Sequence, residues 1–217
     1  GIVLKMAAHV HQLTGSDNLC LAGGVALNCV SNGRLLAEGP FRNVWIQPAA
    51  GDAGRALGAV LAAYHLRHHG PRQVTAQPKT HEDGMQGSYL GPAITEEAVQ
   101  GVLRKYRAPA TSYPDAPAMA ARVAALLAEG YVIGWVQGRM EFGPRALGGR
   151  SILGDPRSPE MQRRLNLKIK YRESFRPFAP AVLGEDVATY FELEEASPYM
   201  LLVRGVQPSL RHPLPAD

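Results

Sequence analysis

Asn18-Leu19-Cys20-Leu21-Ala22-Gly23-Gly24-Val25-Ala26-Leu27-Asn28 sets the fold class. A short apolar run ends in paired glycines, and a helix-compatible stretch over about 28–37 follows and stops at Gly39-Pro40. Val44-Trp45-Ile46 is a second short strand. Pro48-Ala49-Ala50-Gly51 turns the chain, and Asp52 is placed to cap a helix over about 53–69. Upstream, residues 2–13 carry helical apolar spacing closed by Thr14-Gly15. Strand, turn and helix thus repeat, which predicts an α/β layer.

Further along, residues 70–92 lose periodicity and are expected to connect. Thr95, followed by Glu96 and Glu97, opens a helix, and another is expected over about 117–129. Tyr131–Val136 is the clearest buried strand. Ser158-Pro159-Glu160 carries a capping Ser and a Pro suited to open a helix. Ala179–Leu183 and Met200–Val203 are further strand candidates.

Charge is unevenly placed. The 217-residue chain is +4 in total, yet from Arg139 to Arg176 ten Arg and Lys face four acids, leaving that window at +6. Such a concentration suits phosphate or nucleic acid. Cys20 and Cys29 have neither metal-site nor disulfide-framework spacing and are expected to be small buried thiols in a reducing cytoplasm. His9 and His11 would not share a helical face. His65, His68 and His69 suit the carbonyl end of a helix better than a metal. No apolar run is long enough to span a bilayer. The chain opens at Gly1 without Met or signal-peptide order, so it is expected to be part of a longer polypeptide.

Four segments carry chemistry. Gly23 and Gly24 let backbone amides approach a ligand, with a helix starting near Asn28, although paired glycines also make ordinary turns. Asp52 is a helix cap or a hard carboxylate aimed at a cation. Gly138–Ser151 strings Arg139, Arg145 and Arg150 among glycines and Pro144, a pattern suited to bidentate phosphate binding. Removing Arg145 is accordingly expected to weaken an anionic ligand and to leave the fold unchanged. Asn166–Pro180 alternates Lys168, Lys170, Arg172 and Arg176 with Leu, Ile, Tyr and Phe. That pattern admits base stacking, while Phe175 and Phe178 could equally pack a core.

In this order, LAGGVALN, AAGDAGRALGA, GRMEFGPRALGGRSILGDPR and RLNLKIKYRESFRPFAPAVL resemble the bacterial O-carbamoyltransferases of nodulation-factor, cephamycin and aminoglycoside pathways. The resemblance implies the end of an actin-like ATPase-type domain over 1–75, a connection over 76–114 and a YrdC-like α/β domain over 115–217, which need not be complete. It implies a carbamoyltransferase of antibiotic or related biosynthesis that uses ATP and carbamoyl phosphate. Carbamoyl-adenylate would form first, and a small-molecule hydroxyl would then accept the carbamoyl group at a divalent metal, iron being the expected ion.

By position, Gly23, Gly24 and Asn28 match the nucleotide loop, and Asp52 matches a metal ligand. Arg139, Arg145, Arg150 and Ser151 match the arginine loop; Lys168, Lys170, Arg172 and Arg176 match the basic segment. The remaining metal ligands would lie upstream, so the chain alone is expected to be inactive or partly active. Its expected partners are the acceptor, the upstream part of the same polypeptide and, as one option, a second copy. No membrane is expected. The rival reading is a nucleic-acid-binding or tRNA threonylcarbamoyl-modification module.

Overall fold

The computed structural model describes residues 1–72, 83–194 and 196–212. It is a mixed α/β structure with two small sheets, and its contacts separate two units. The first takes in Gly1–Ser88, Phe142–Arg145 and Val182–Asp217; the second takes in Tyr89–Glu141 and Ala146–Ala181.

In the first unit, helix α1 (Ile2–Thr14) ends on Gly15 in the left-handed conformation, whose amide donates to the His11 carbonyl. Strand β1 (Asn18–Leu21), helix α2 (Cys29–Glu38) and strand β2 (Asn43–Ile46) form a βαβ crossover. The strands are parallel, from Asn18 opposite Asn43 to Leu21 opposite Ile46; a parallel pair requires such a crossover. Ala7, Leu35 and Phe41 are its buried centre, with Leu4, Leu19, Leu21 and Val44 packed around them. Helix α3 (Asp52–Ala62) buries no residue and runs into a π-helical turn, Ala63–Arg67. The His65 ring N–H donates at 3.0 Å to the Gly70 carbonyl, which lies past the end of the helical stretch.

In the second unit, Thr95 caps helix α4 (Glu96–Tyr106) and Asp115 caps helix α5 (Ala116–Ala128), each through its side-chain oxygen. Strands β3 (Ile133–Val136) and β4 (Arg150–Leu153) pair antiparallel, Ile133 opposite Leu153 and Val136 opposite Arg150. Helix α6 (Met161–Arg164) continues into a π-helical turn, Leu165–Ile169.

Several expectations are corrected. Cys20 is exposed and Cys29 half-buried, not buried. The strand in Tyr131–Val136 starts at Ile133 and alternates half-buried with exposed positions, because a two-stranded antiparallel pair covers one face only. Ala179–Leu183 forms no strand, and neither does Met200–Val203, where Met200 at φ +54 breaks the extended path. Ser158 precedes α6 as a turn residue and does not cap it by its side chain. Asp52 is the first residue of α3, not its cap. Of the connecting stretch over 70–92, residues 73–82 lie outside the described residues.

Candidate functional site

A pocket of about 480 Å³ opens in the first unit. The glycine turn supplies Gly23, Gly24 and Leu27; the Ala50–Ala53 turn and Arg55 supply a second wall; Gly143 and Pro144 supply a third. Three motifs far apart in sequence therefore meet at one concavity. Its floor is tied by the Gly23 amide donating to the Ala50 carbonyl at 2.9 Å. Gly143 has φ +139, a conformation that favours glycine, and a Cβ there would stand a tight 3.3 Å from the Pro48 carbonyl.

The Asn28 side-chain oxygen accepts from the Ser31 amide at 3.0 Å and caps α2. The Asp52 carboxylate is 91% exposed and lies 3.3 Å from Arg55. Such a pair contributes little stability, so the carboxylate remains available to a ligand. Among the described residues no three His, Cys, Asp or Glu side chains come together as a metal-binding group. Asp52 alone does not make an iron site.

Arg145 belongs to the same unit as this pocket. Its Nη2 donates to the Leu27 carbonyl at 2.8 Å, whereas its buried Nε has no acceptor. A cation set beside a pocket on a neutral carbonyl, with a donor to spare, favours an anion nearby.

Arg139 and Arg150 fall in the second unit. Arg139 Nη1 donates to the Gly91 carbonyl at 3.0 Å. Arg150 spreads across the Gln137, Gly138 and Gly149 carbonyls at 2.6–3.3 Å. The Ser151 hydroxyl accepts from the Gly148 amide at 3.0 Å. What orders this loop is Glu141, its one acid. Glu141 Oε1 accepts from the amides of Leu147 at 2.7 Å, Gly149 at 2.8 Å and Arg150 at 3.2 Å. Burial pushes this carboxyl up, but the amides of Leu147, Glu141 itself, Arg150 and Gly149 together hold it below its ordinary value.

The basic segment is organised by Asn166, which is fully buried. Its Nδ2 donates to the Ser174 carbonyl at 3.0 Å and the Arg176 carbonyl at 2.8 Å, and its Oδ1 accepts from Arg172 Nε at 2.6 Å. The Arg172 guanidinium also lies over the Phe178 ring, 4.9 Å from its centroid. Arg176 pairs with Glu173 at 2.9 Å. Lys168 and Lys170 are exposed, as are Tyr171 at 86% and Phe175 at 77%. Phe175 therefore does not pack a core here, whereas Phe178 is half-buried.

Glu141, Asn166 and the buried Asn32 were not among the expected site residues. The available signal was faint: a lone acid in a basic loop, and single asparagines within helical stretches of mixed polarity.

Residues 1–61 match the family described as carbamoyltransferase N-terminus, and residues 124–217 match carbamoyltransferase C-terminus. A Synechocystis sp. protein is 56% identical over 98% of the chain and 34% of its own length. Nodulation protein NolNO of Sinorhizobium fredii is 43% identical over 99% of the chain and 31% of its own length. Nodulation protein U of Rhizobium tropici is 35% identical over 98% of the chain and 33% of its own length. The chain thus spans about a third of the length of the curated relatives it matches. No described helix is long and apolar enough to cross a membrane. With both family segments matched in order across the motifs that build the pocket and the arginine loop, the chain belongs to the carbamoyltransferase family.

Proposed function

We propose that this chain is the middle-to-late part of an ATP-dependent O-carbamoyltransferase and that its first-unit pocket holds a phosphate-bearing ligand. One observation carries this reading: glycine turn, Asp52 turn and Gly143-Pro144 converge on one pocket beside Arg145, whose buried Nε lacks a partner. The domain division 1–75, 76–114 and 115–217, with actin-like and YrdC-like halves, is part of the proposal.

In the proposed chemistry, a water molecule cleaves the C–O–P bridge of carbamoyl phosphate, its oxygen going to one product, and carbamate and orthophosphate result with release of a proton. A carbamate oxygen bonds to the α-phosphorus of ATP as pyrophosphate leaves. An acceptor hydroxyl oxygen then bonds to the carbamoyl carbon, AMP leaves, and the hydroxyl proton passes to solvent. A phosphate leaving group makes this transfer feasible where carbamate alone would be inert. Arg139, Arg150, Ser151, Lys168, Lys170, Arg172 and Arg176 are assigned to the anions of the first step. Gly23, Gly24 and Arg145 are assigned to the adenylate phosphate. Asp52 would supply one oxygen to a metal whose other ligands lie in a preceding segment. The acceptor is a small hydroxylated natural product, and the compartment is the cytoplasm.

The exposed Tyr171 and Phe175 beside Lys168 and Lys170 favour the rival nucleic-acid reading. Calorimetric titration with ATP, carbamoyl phosphate and a short single-stranded RNA separates the two. Saturable binding of ATP or carbamoyl phosphate that survives moderate salt supports the transferase. RNA binding that falls steeply with salt, without either small ligand binding, overturns it.

A further inference from the structure

Asn32 lies on α2 and is 1% exposed, an uncommon place for a carboxamide unless both amide hydrogens find partners. Its Nδ2 donates to the Ala26 carbonyl at 2.8 Å and to the Leu201 carbonyl at 3.0 Å, the latter from a residue 169 positions away. The two acceptors belong to different structures. Ala26 lies in the single 3₁₀ turn Gly24–Leu27 beside the pocket. Leu201 lies in an irregular strap that continues to Val203, and at Gly33 any Cβ would run into the Val203 carbonyl. The strap has a second anchor, the Tyr199 hydroxyl donating to Asp83 at 2.6 Å. Tyr199 and Leu201 are both buried.

We propose that Asn32 is a positioning residue of the pocket, a staple through which the Tyr199–Val203 strap holds the glycine turn in its ligand-binding shape. This rests on the reading of the pocket as a phosphate-ligand site. The turn is one 3₁₀ turn, flanked by amide bonds from Ala26 to Gly23 and from Asn28 to Val25, each at 3.0 Å. A turn so short takes its shape from outside donors, and it has two: Asn32 on the Ala26 carbonyl and Arg145 on the Leu27 carbonyl. With both carbonyls drawn into the protein, the Gly23-Gly24 edge is left to line the pocket. The strap thereby acts on a site it does not line.

The test uses the whole chain with Asn32→Asp and Asn32→Ala. ATP affinity is measured by calorimetry, exchange of the Gly24–Leu27 amides by hydrogen–deuterium mass spectrometry, and global folding by thermal melting. An ionised Asp at this position faces two carbonyl oxygens, and protonation returns one donor. Asn32→Asp should therefore bind ATP at least about tenfold more weakly near pH ~8 and recover partly near pH ~5, as one hydrogen bond returns. Asn32→Ala should be weak at both. In both variants the Gly24–Leu27 amides should exchange faster than in wild type while the chain stays folded. Unchanged exchange and affinity in both variants overturns the staple. If wild type does not bind ATP, the ligand reading fails, and turn exchange alone decides the staple. If Asn32→Asp does not fold, Asn32→Ser, which keeps one donor, decides by the same readouts.

Discussion

Arg145 Nη2 donates to the main-chain carbonyl of Leu27 at 2.8 Å, across 118 residues of sequence. Arg145 is therefore tied to the glycine turn of its own unit, and the preceding Gly143 and Pro144 line the pocket wall of that unit. This contact changes what Arg145 does for the fold: it locks a turn as well as offering charge.

Arg145→Ala is accordingly expected to destabilise the chain by about 1.5–3 kcal/mol, the range for a hydrogen bond to a charged group, and to weaken ATP binding. Arg145→Lys keeps the charge without the planar fork, so it should recover only part of each loss. Urea unfolding and calorimetry measure the two effects. If alanine matches wild type in both, Arg145 has neither role.

Glu141 templates the arginine loop from within, and its carboxyl is held below the ordinary 4.5. Its contribution to stability is thus complete above that ordinary value and is lost as pH falls through the lower folded value. Melting curves across this acid range should be flatter for Glu141→Gln than for wild type. Glu141→Ala should cost roughly 2–3 kcal/mol near neutrality by leaving several loop amides without an acceptor. Identical acid limbs in wild type and Gln would discount the template.

Asn166→Ala should release the Ser174 and Arg176 carbonyls together with the Arg172 side chain, at about 2–3 kcal/mol for a buried amide whose partners are left unpaired. Amide exchange over residues 172–176 should accelerate far more than over β3. A uniform acceleration across the second unit would mean that Asn166 supports the whole unit and not this loop.

The first 69 residues alone should fail to melt cooperatively, because their unit also contains Phe142–Arg145 and the strap with buried Tyr199 and Leu201. A sharp, native-like melt of residues 1–69 would contradict that.

The isolated chain should retain no transition metal through gel filtration, since Asp52 offers one hard ligand and tight sites need several. Elemental analysis finding stoichiometric metal, with ligands mapped to this chain, would reverse the expectation.

Local chemistry made much of this legible in advance. Thr14-Gly15 ends α1, Thr95 caps α4, and the run Asn18–Leu21 followed by paired glycines gives strand, turn and helix as read. These features depend on neighbours within a few residues. Where the reading failed, the deciding partner was remote or missing. Met200–Val203 has strand composition but is held by Asn32 and Gly33 without a ladder. Cys20 lies on a four-residue strand of a two-stranded sheet, which leaves it exposed.

By itself the sequence determined the alternation of strands and helices, the order of the four motifs, the family and the concentration of positive charge. All of these are written in residue type and short-range spacing. Only the tertiary structure decided that Gly23, Asp52 and Gly143 share one pocket, and that Arg145 and Asn32 hold the turn beside it. It alone decided that Glu141 and Asn166 order the two basic loops. Those assignments rest on hydrogen bonds to main-chain carbonyls and amides. A backbone group carries no residue identity, so the sequence gives no sign of which side chain will find it.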